Sequence, residues 1–103
     1  MPTIDGSEVR RIVVACEAGM GSSVMLTSSL SQRFAALDVT VTHLPVNRLT
    51  DDDADVVVCH RGLAKRASQA APGTPIVAFD LFLGDPAFDG LEAALREGST
   101  IGG

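Results

Sequence analysis

One stretch of the sequence carries residue types and spacing suited to covalent chemistry: Cys16-Glu17-Ala18-Gly19-Met20-Gly21-Ser22-Ser23. Two glycines let the backbone curl so that successive N–H groups point inward, forming a nest the size of an anion. Ser22 and Ser23 add hydroxyl donors, and a helix starting there adds the positive end of its dipole. The run Glu17, Ala18, Gly19, Met20, Gly21, Ser22 and Ser23 is therefore the expected phosphate-binding cradle. Cys16 stands at its rim as the expected catalytic nucleophile, where such a field favours the thiolate. The plain structural alternative is a tight turn with a buried cysteine. The Walker phosphate loop is excluded, and the dinucleotide fingerprint is a poor match. No Gly-Lys-Ser/Thr closes the segment, and Val24 stands three residues after Gly21 where the dinucleotide fingerprint requires glycine or alanine.

A cradle of this kind needs a strand before it and a helix after it. Ile12-Val13-Val14-Ala15-Cys16 is a continuous apolar run, as expected of a strand covered on both faces. From Ser22 to Leu37, Leu26, Leu30, Phe34 and Leu37 recur at helical spacing. Val39 to Leu44 alternates as a more exposed strand ended by Pro45, and Asp55 to Cys59 is a third strand. A helix follows from about Gly62 to Ala71, with Leu63, Ala64 and Ala67, and Pro72-Gly73 closes it. Pro75 to Phe79 is the fourth strand, and after Gly84-Asp85-Pro86 a last helix bears Phe88, Leu91 and Leu95.

Strict alternation of strand and helix predicts an α/β fold with parallel strands and right-handed crossovers. The expected architecture is a small, open, Rossmann-like sheet of four parallel strands in the order 2-1-3-4, with helices on both faces. Ligands of such sheets bind beyond the carboxyl ends of the strands, at the switch point, where the Cys16 loop lies. His60 and Arg61 end the third strand beside it, as accessory groups or partner contacts; a histidine satisfied by backbone is the simpler alternative for His60. Cys59 is expected to be a small core residue. The segments 1–8 and 98–103 are polar and glycine-containing and are expected to be flexible tails around a domain at 9–97. The acidic run Asp51-Asp52-Asp53-Ala54-Asp55 is expected to be a solvated loop.

The 103 residues suffice for one core. With 46% hydrophobic and 20% charged residues the chain has a globular composition. No apolar run approaches the ~20 residues of a membrane span, and the amino terminus lacks a signal-peptide pattern. A cytoplasmic location without membrane insertion is expected. Eight basic against thirteen acidic residues, a net charge of −5, exclude a broad nucleic-acid footprint. Nothing in this small acidic chain calls for more than a monomer. Two cysteines do not build a disulfide scaffold. Cys59 and His60, adjacent on a strand, point to opposite faces and make no metal site.

Arg11-Ile12-Val13-Val14-Ala15-Cys16-Glu17-Ala18-Gly19-Met20-Gly21-Ser22-Ser23 closely resembles the start of the IIB domains of the bacterial phosphoenolpyruvate:sugar phosphotransferase system, the mannitol-type branch in particular. Val46-Asn47-Arg48-Leu49, Val57-Val58-Cys59-His60-Arg61-Gly62-Leu63, and Leu81-Phe82-Leu83 with Phe88-Asp89-Gly90-Leu91 resemble the same branch, in the same order. The likeness covers roughly residues 10 to 97. It departs at Glu17, where aspartate is common, and at Cys59, where threonine is expected. The resemblance implies a phosphoryl relay without metal or organic cofactor. Cys16 would take a phosphoryl group from a histidine of the IIA phosphocarrier and pass it to a sugar or polyol, mannitol-like, held by the membrane IIC permease. With no IIC or IIA segment in the chain, a separate component is expected. The same fold and a related loop occur in low-molecular-weight tyrosine phosphatases, but these need Cys-x5-Arg, and Ser22 stands at the arginine position. Asp85-Pro86 resembles their general-acid dipeptide, or is simply a helix start with Pro86 at the first position. A stand-alone regulatory module is the remaining alternative.

Overall fold

The computed structural model describes residues 2–17, 21–82 and 84–102, and for residues 21 and 22 the backbone alone. In chain order the elements are β1 (Thr3–Asp5), β2 (Arg11–Cys16), α1 (Gly21–Arg33), β3 (Thr40–Pro45), β4 (Val56–His60), α2 (Ala64–Ala70), β5 (Ile76–Phe79), α3 (Pro86–Glu97) and β6 (Thr100–Gly102). Short 3₁₀ turns occupy Gly6–Glu8, Ala35–Leu37, Val46–Arg48 and Arg61–Leu63.

Strands β2 to β5 form a parallel sheet in the order β3-β2-β4-β5. With β1 set aside, this is the expected 2-1-3-4 arrangement. Cys16 lies opposite Pro45, Ala15 opposite Cys59, and His60 opposite Phe79. Side-chain alternation divides the apolar strands between two layers. Ile12, Val14, Val56, Val58 and Phe79 pack with Leu26 and Leu30 of α1, with Phe34 just beyond it, and with Phe88, Leu91 and Leu95 of α3. On the opposite face Val13, Ala15, Val57 and Cys59 pack with Leu63, Ala67 and Ala71. The central valines of β4 are fully buried, and each such side chain contributes about 1.5–3 kcal/mol of transfer free energy. That continuous burial is what β-branched runs without alternation encode.

Helix α1 is shorter than its apolar spacing predicts. It ends at Arg33, and Leu37 belongs to a 3₁₀ turn closed by Asp38 in the left-handed region at φ 61°. Arg33 ties α1 to α3 through Asp89 and Glu92, and Glu92 also accepts from Arg96 at 2.9 Å.

The expectation of two flexible tails is corrected. Strands β1 and β6 pair antiparallel with Ile4 opposite Ile101, and the Gly6 N–H donates to the Ser99 carbonyl at 2.9 Å. Ile101, 5% exposed, joins the core below α3. Each strand has three residues, too few for a period to show, and the pairing joins opposite ends of the chain. Gly6 fits there because it lies against the α3 backbone; a Cβ would stand 1.9 Å from the Ala94 carbonyl oxygen.

The acidic run is also more than a solvated loop. Asp51 accepts from the Gly73 N–H at 2.9 Å and the Thr74 hydroxyl at 2.8 Å, fastening the turn before β5. Asp53 accepts from the Thr50 N–H at 2.8 Å, and Asp55 accepts from the N–H groups of Arg10 and Arg11 at 2.8 and 3.0 Å. These carboxylates satisfy donors that the turns and the start of β2 leave open.

Candidate active site

Cys16 is the last residue of β2, flanked on both sides by β3 and β4. Pro45, His60 and Phe79 end the neighbouring strands at the same edge of the sheet. Cys16 is 7% exposed, and its thiol donates to the Leu44 carbonyl at 3.5 Å. Of the expected cradle, Ala18, Gly19 and Met20 lie outside the described residues, as does the side chain of Ser22. Helix α1 begins at Gly21, and Ser23 is buried in its first turn, where its carbonyl accepts from the Thr27 hydroxyl at 2.7 Å.

Glu17 projects into solvent and accepts from Arg66 Nη1 at 3.2 Å. Its side chain is itself an anion, so only its backbone N–H suits a phosphate. Glu17 stands between two clefts. One, of about 400 Å³, is lined by Cys16, Glu17, Val46, Asn47 and Arg66. The other, of about 300 Å³, is lined by Glu17, His60, Gly62, Leu63 and Phe82. Arg66 comes from α2, on the face of the sheet opposite α1, and closes the cysteine cleft with a guanidinium.

His60 and Arg61 occupy the predicted strand end but are engaged there. His60 Nδ1 accepts from the Gly62 N–H at 3.1 Å, which places the proton of a neutral ring on Nε2. The ring stacks on Phe82, 6.1 Å between centroids, and meets Phe79 edge-on at 5.8 Å. His60 therefore satisfies the simpler alternative of a backbone-bonded strand end, while its ring lines the second cleft. Arg61 forks onto Asp80, with Nε and Nη2 at 2.8 and 3.3 Å from the two carboxylate oxygens, and that pair holds its guanidinium ionised even more firmly than usual.

Asp85 has the form of a helix cap. Its carboxylate accepts from the N–H groups of Ala87, Leu81 and Asp80 at 2.8, 2.9 and 2.7 Å. These bonds, Ala87's first, hold it below the usual carboxylate range. A general acid must carry a proton at working pH, and this group has given its proton up. Cys59 is fully buried, and desolvation pushes its thiol up to about 11. Among the described residues no group of three or more His, Cys, Asp or Glu side chains is placed to hold a metal ion.

Arg66 and Asn47 were missed by the sequence reading. Both had a signal. Arg66 precedes Ala67, whose burial fixes the inner face of α2, so it borders that face at the end nearest the strand tips. Asn47 sits in the turn directly after β3, two residues past Pro45, which lies opposite Cys16.

Residues 11–91 match the family model described as PTS system, Lactose/Cellobiose specific IIB subunit. The chain belongs to this IIB family. It is 40% identical over 91 residues to the PTS system mannitol-specific EIICB component of Bacillus subtilis (strain 168), a match covering 86% of this chain and 19% of that protein. It is 38% identical over 93 residues to the component of the same name from Geobacillus stearothermophilus, covering 88% and 20% respectively. Against the mannitol-specific EIICBA component of Vibrio cholerae the identity is 38% over 94 residues, 89% of this chain and 14% of that protein. The chain thus spans about a fifth or less of the length of these relatives. Among the described residues no helix is long and apolar enough to cross a membrane.

Proposed function

We propose that this IIB domain is a phosphoryl relay in which Cys16 is the covalent carrier. The observation that carries the reading is the position of Cys16, a cysteine at the carboxyl end of the central strand, opening into a cleft with an arginine on its wall. In the first step the Cys16 thiolate attacks the phosphorus of a phosphohistidine on a IIA phosphocarrier. The S–P bond forms, the N–P bond breaks, and the imidazole leaves. In the second step a hydroxyl oxygen of a sugar or polyol attacks the same phosphorus; the O–P bond forms, the S–P bond breaks, the thiolate leaves, and the hydroxyl proton passes to solvent. Backbone N–H groups of the Glu17–Ser23 loop receive the equatorial oxygens, so positioning and charge neutralisation supply the catalysis. The covalent phosphocysteine makes a metal or organic cofactor unnecessary.

The relatives named mannitol-specific support a mannitol-like polyol as final acceptor. Their EIICB and EIICBA designations support a membrane IIC component and a IIA donor as partners. The proposal further takes the domain to work as a monomer at the cytoplasmic face. The phosphatase alternative loses its acid, because the Asp85 carboxylate is ionised and occupied by three backbone donors.

Reconstitution tests the reading. Vesicles carrying a mannitol-type IIC permease without its own IIB domain would be supplied with this chain, phosphoenolpyruvate, the general phosphocarriers and IIA. Labelled mannitol phosphate should form with the wild-type chain and not with Cys16→Ser. Equal product from the serine variant would overturn the assignment of Cys16.

A further inference from the structure

We infer that Arg66 is a phosphoryl-binding residue that exchanges the Glu17 carboxylate for the phosphoryl group on Cys16. The inference rests on the relay reading above and adds to it a cation from outside the cysteine loop. That loop has no arginine, since Ser22 stands where a Cys-x5-Arg cradle would carry one. The fold supplies the missing charge from α2. Arg66 shares the cysteine cleft with Cys16, Glu17, Val46 and Asn47, and its guanidinium is the one positive group among these five.

In the unphosphorylated chain, among the described residues, this guanidinium spends a single N–H, Nη1, on Glu17. Both side chains are more than half exposed, 54% and 57%, and an exposed pair of this kind holds weakly. A phosphoryl monoester on Cys16 brings a charge of about −1.5 to −2 and three acceptor oxygens into the same cleft. The planar fork of arginine matches such oxygens two at a time, which Glu17 at one contact does not exploit. The phosphoryl group therefore wins the guanidinium. Glu17, now beside a second anion, turns from the cysteine cleft toward the His60 cleft whose wall it already forms. Glu17 thus keeps the empty cleft neutral and holds Arg66 on the wall of the cleft that Cys16 also lines before the phosphoryl group arrives.

The test compares wild type, Arg66→Gln, Arg66→Lys and Glu17→Gln, each checked by melting temperature, which an exposed pair should scarcely move. Phosphoryl acceptance from phosphorylated IIA should slow by about 10²–10³-fold in Arg66→Gln, the scale of losing one preorganised charge donor, with only partial recovery in Arg66→Lys. An independent readout needs no IIA. The ratio of Cys16 alkylation by anionic iodoacetate to that by neutral iodoacetamide should fall roughly tenfold in Arg66→Gln and rise in Glu17→Gln. If wild type and Arg66→Gln accept phosphoryl groups equally fast, Arg66 has no such role while the relay stands. If the wild-type chain never gains a phosphoryl group on Cys16, the relay itself fails and this exchange fails with it.

Discussion

The two cysteines of the chain sit next to each other in the sheet yet meet different surroundings. Cys59 is opposite Ala15 and faces the α2 layer, so alternation sends Cys16, one residue on, to the other side. Burial alone pushes the Cys59 thiol up to about 11 and leaves it unexposed. With iodoacetamide at pH 8, one cysteine is expected to label in the native chain, and peptide mapping should find the label on Cys16. Cys59 should label only as the pH approaches 11 or on unfolding; early labelling at Cys59 would contradict the packing. Cys16 was legible in the sequence because its neighbours are local: a β-branched run ahead of it and glycines and serines behind. Arg66 was not, because nothing in the loop refers to a helix fifty residues later. Only the parallel register of β2 and β4 brings α2 over the cysteine cleft.

At the scale of elements, α3 combines the clearest local signals in the chain. Asp85 caps it, Pro86 takes the first helical position, and Gly98 closes it at φ 74° with its N–H on the Ala94 carbonyl. The Asp85 carboxyl lies below its ordinary value of 3.8 when folded, so the unfolded chain takes up the proton first as the pH falls. Its stabilisation is complete above about pH 4 and is lost as the pH drops through the folded value. Glu92, bonded to Arg33 and Arg96, and Asp5, bonded to Ser7, are displaced in the same direction and add to the loss. Melting temperature should therefore hold level from pH 7 to about 5 and fall below 4. Asp85→Asn should start lower at pH 7 and show a shallower acid decline. A pair of glycine substitutions tests packing around the same helix. Gly90→Ala meets nothing within 4 Å and should stabilise by about 1 kcal/mol through helix propensity. Gly6→Ala drives a methyl into the Ala94 carbonyl and should destabilise, with chemical denaturation reading both signs. The elements were legible because spacing of apolar residues is a local property; the end of α1 was not, since Leu37 continues the helical spacing while Asp38 leaves the helix in a left-handed turn.

For the whole molecule, the paired ends clamp the sheet's core from below α3, so the chain termini are part of its stability. Ile101→Ala should cost about 2–5 kcal/mol, the range for a buried aliphatic side chain, and an unfolding midpoint unchanged from wild type would return the ends to the status of tails. The parallel sheet was legible from alternation, and its order agrees with the 2-1-3-4 expected, whereas a pairing of two three-residue strands across the chain has no periodic signature. The same global arrangement gives the site its logic. Parallel strands end together, and this edge gathers Cys16, the Glu17–Arg66 pair and the His60 ring, while the paired termini lie alongside β5. The central claim is that this edge holds a phosphoryl group on one sulfur. Intact-protein mass spectrometry at mildly basic pH, after incubation with phosphoenolpyruvate, the general phosphocarriers and IIA, measures it directly. The account predicts the gain of one acid-labile phosphoryl group by the wild-type chain and none by Cys16→Ser. A wild-type chain that gains nothing, or a serine variant that gains the same mass, would contradict it.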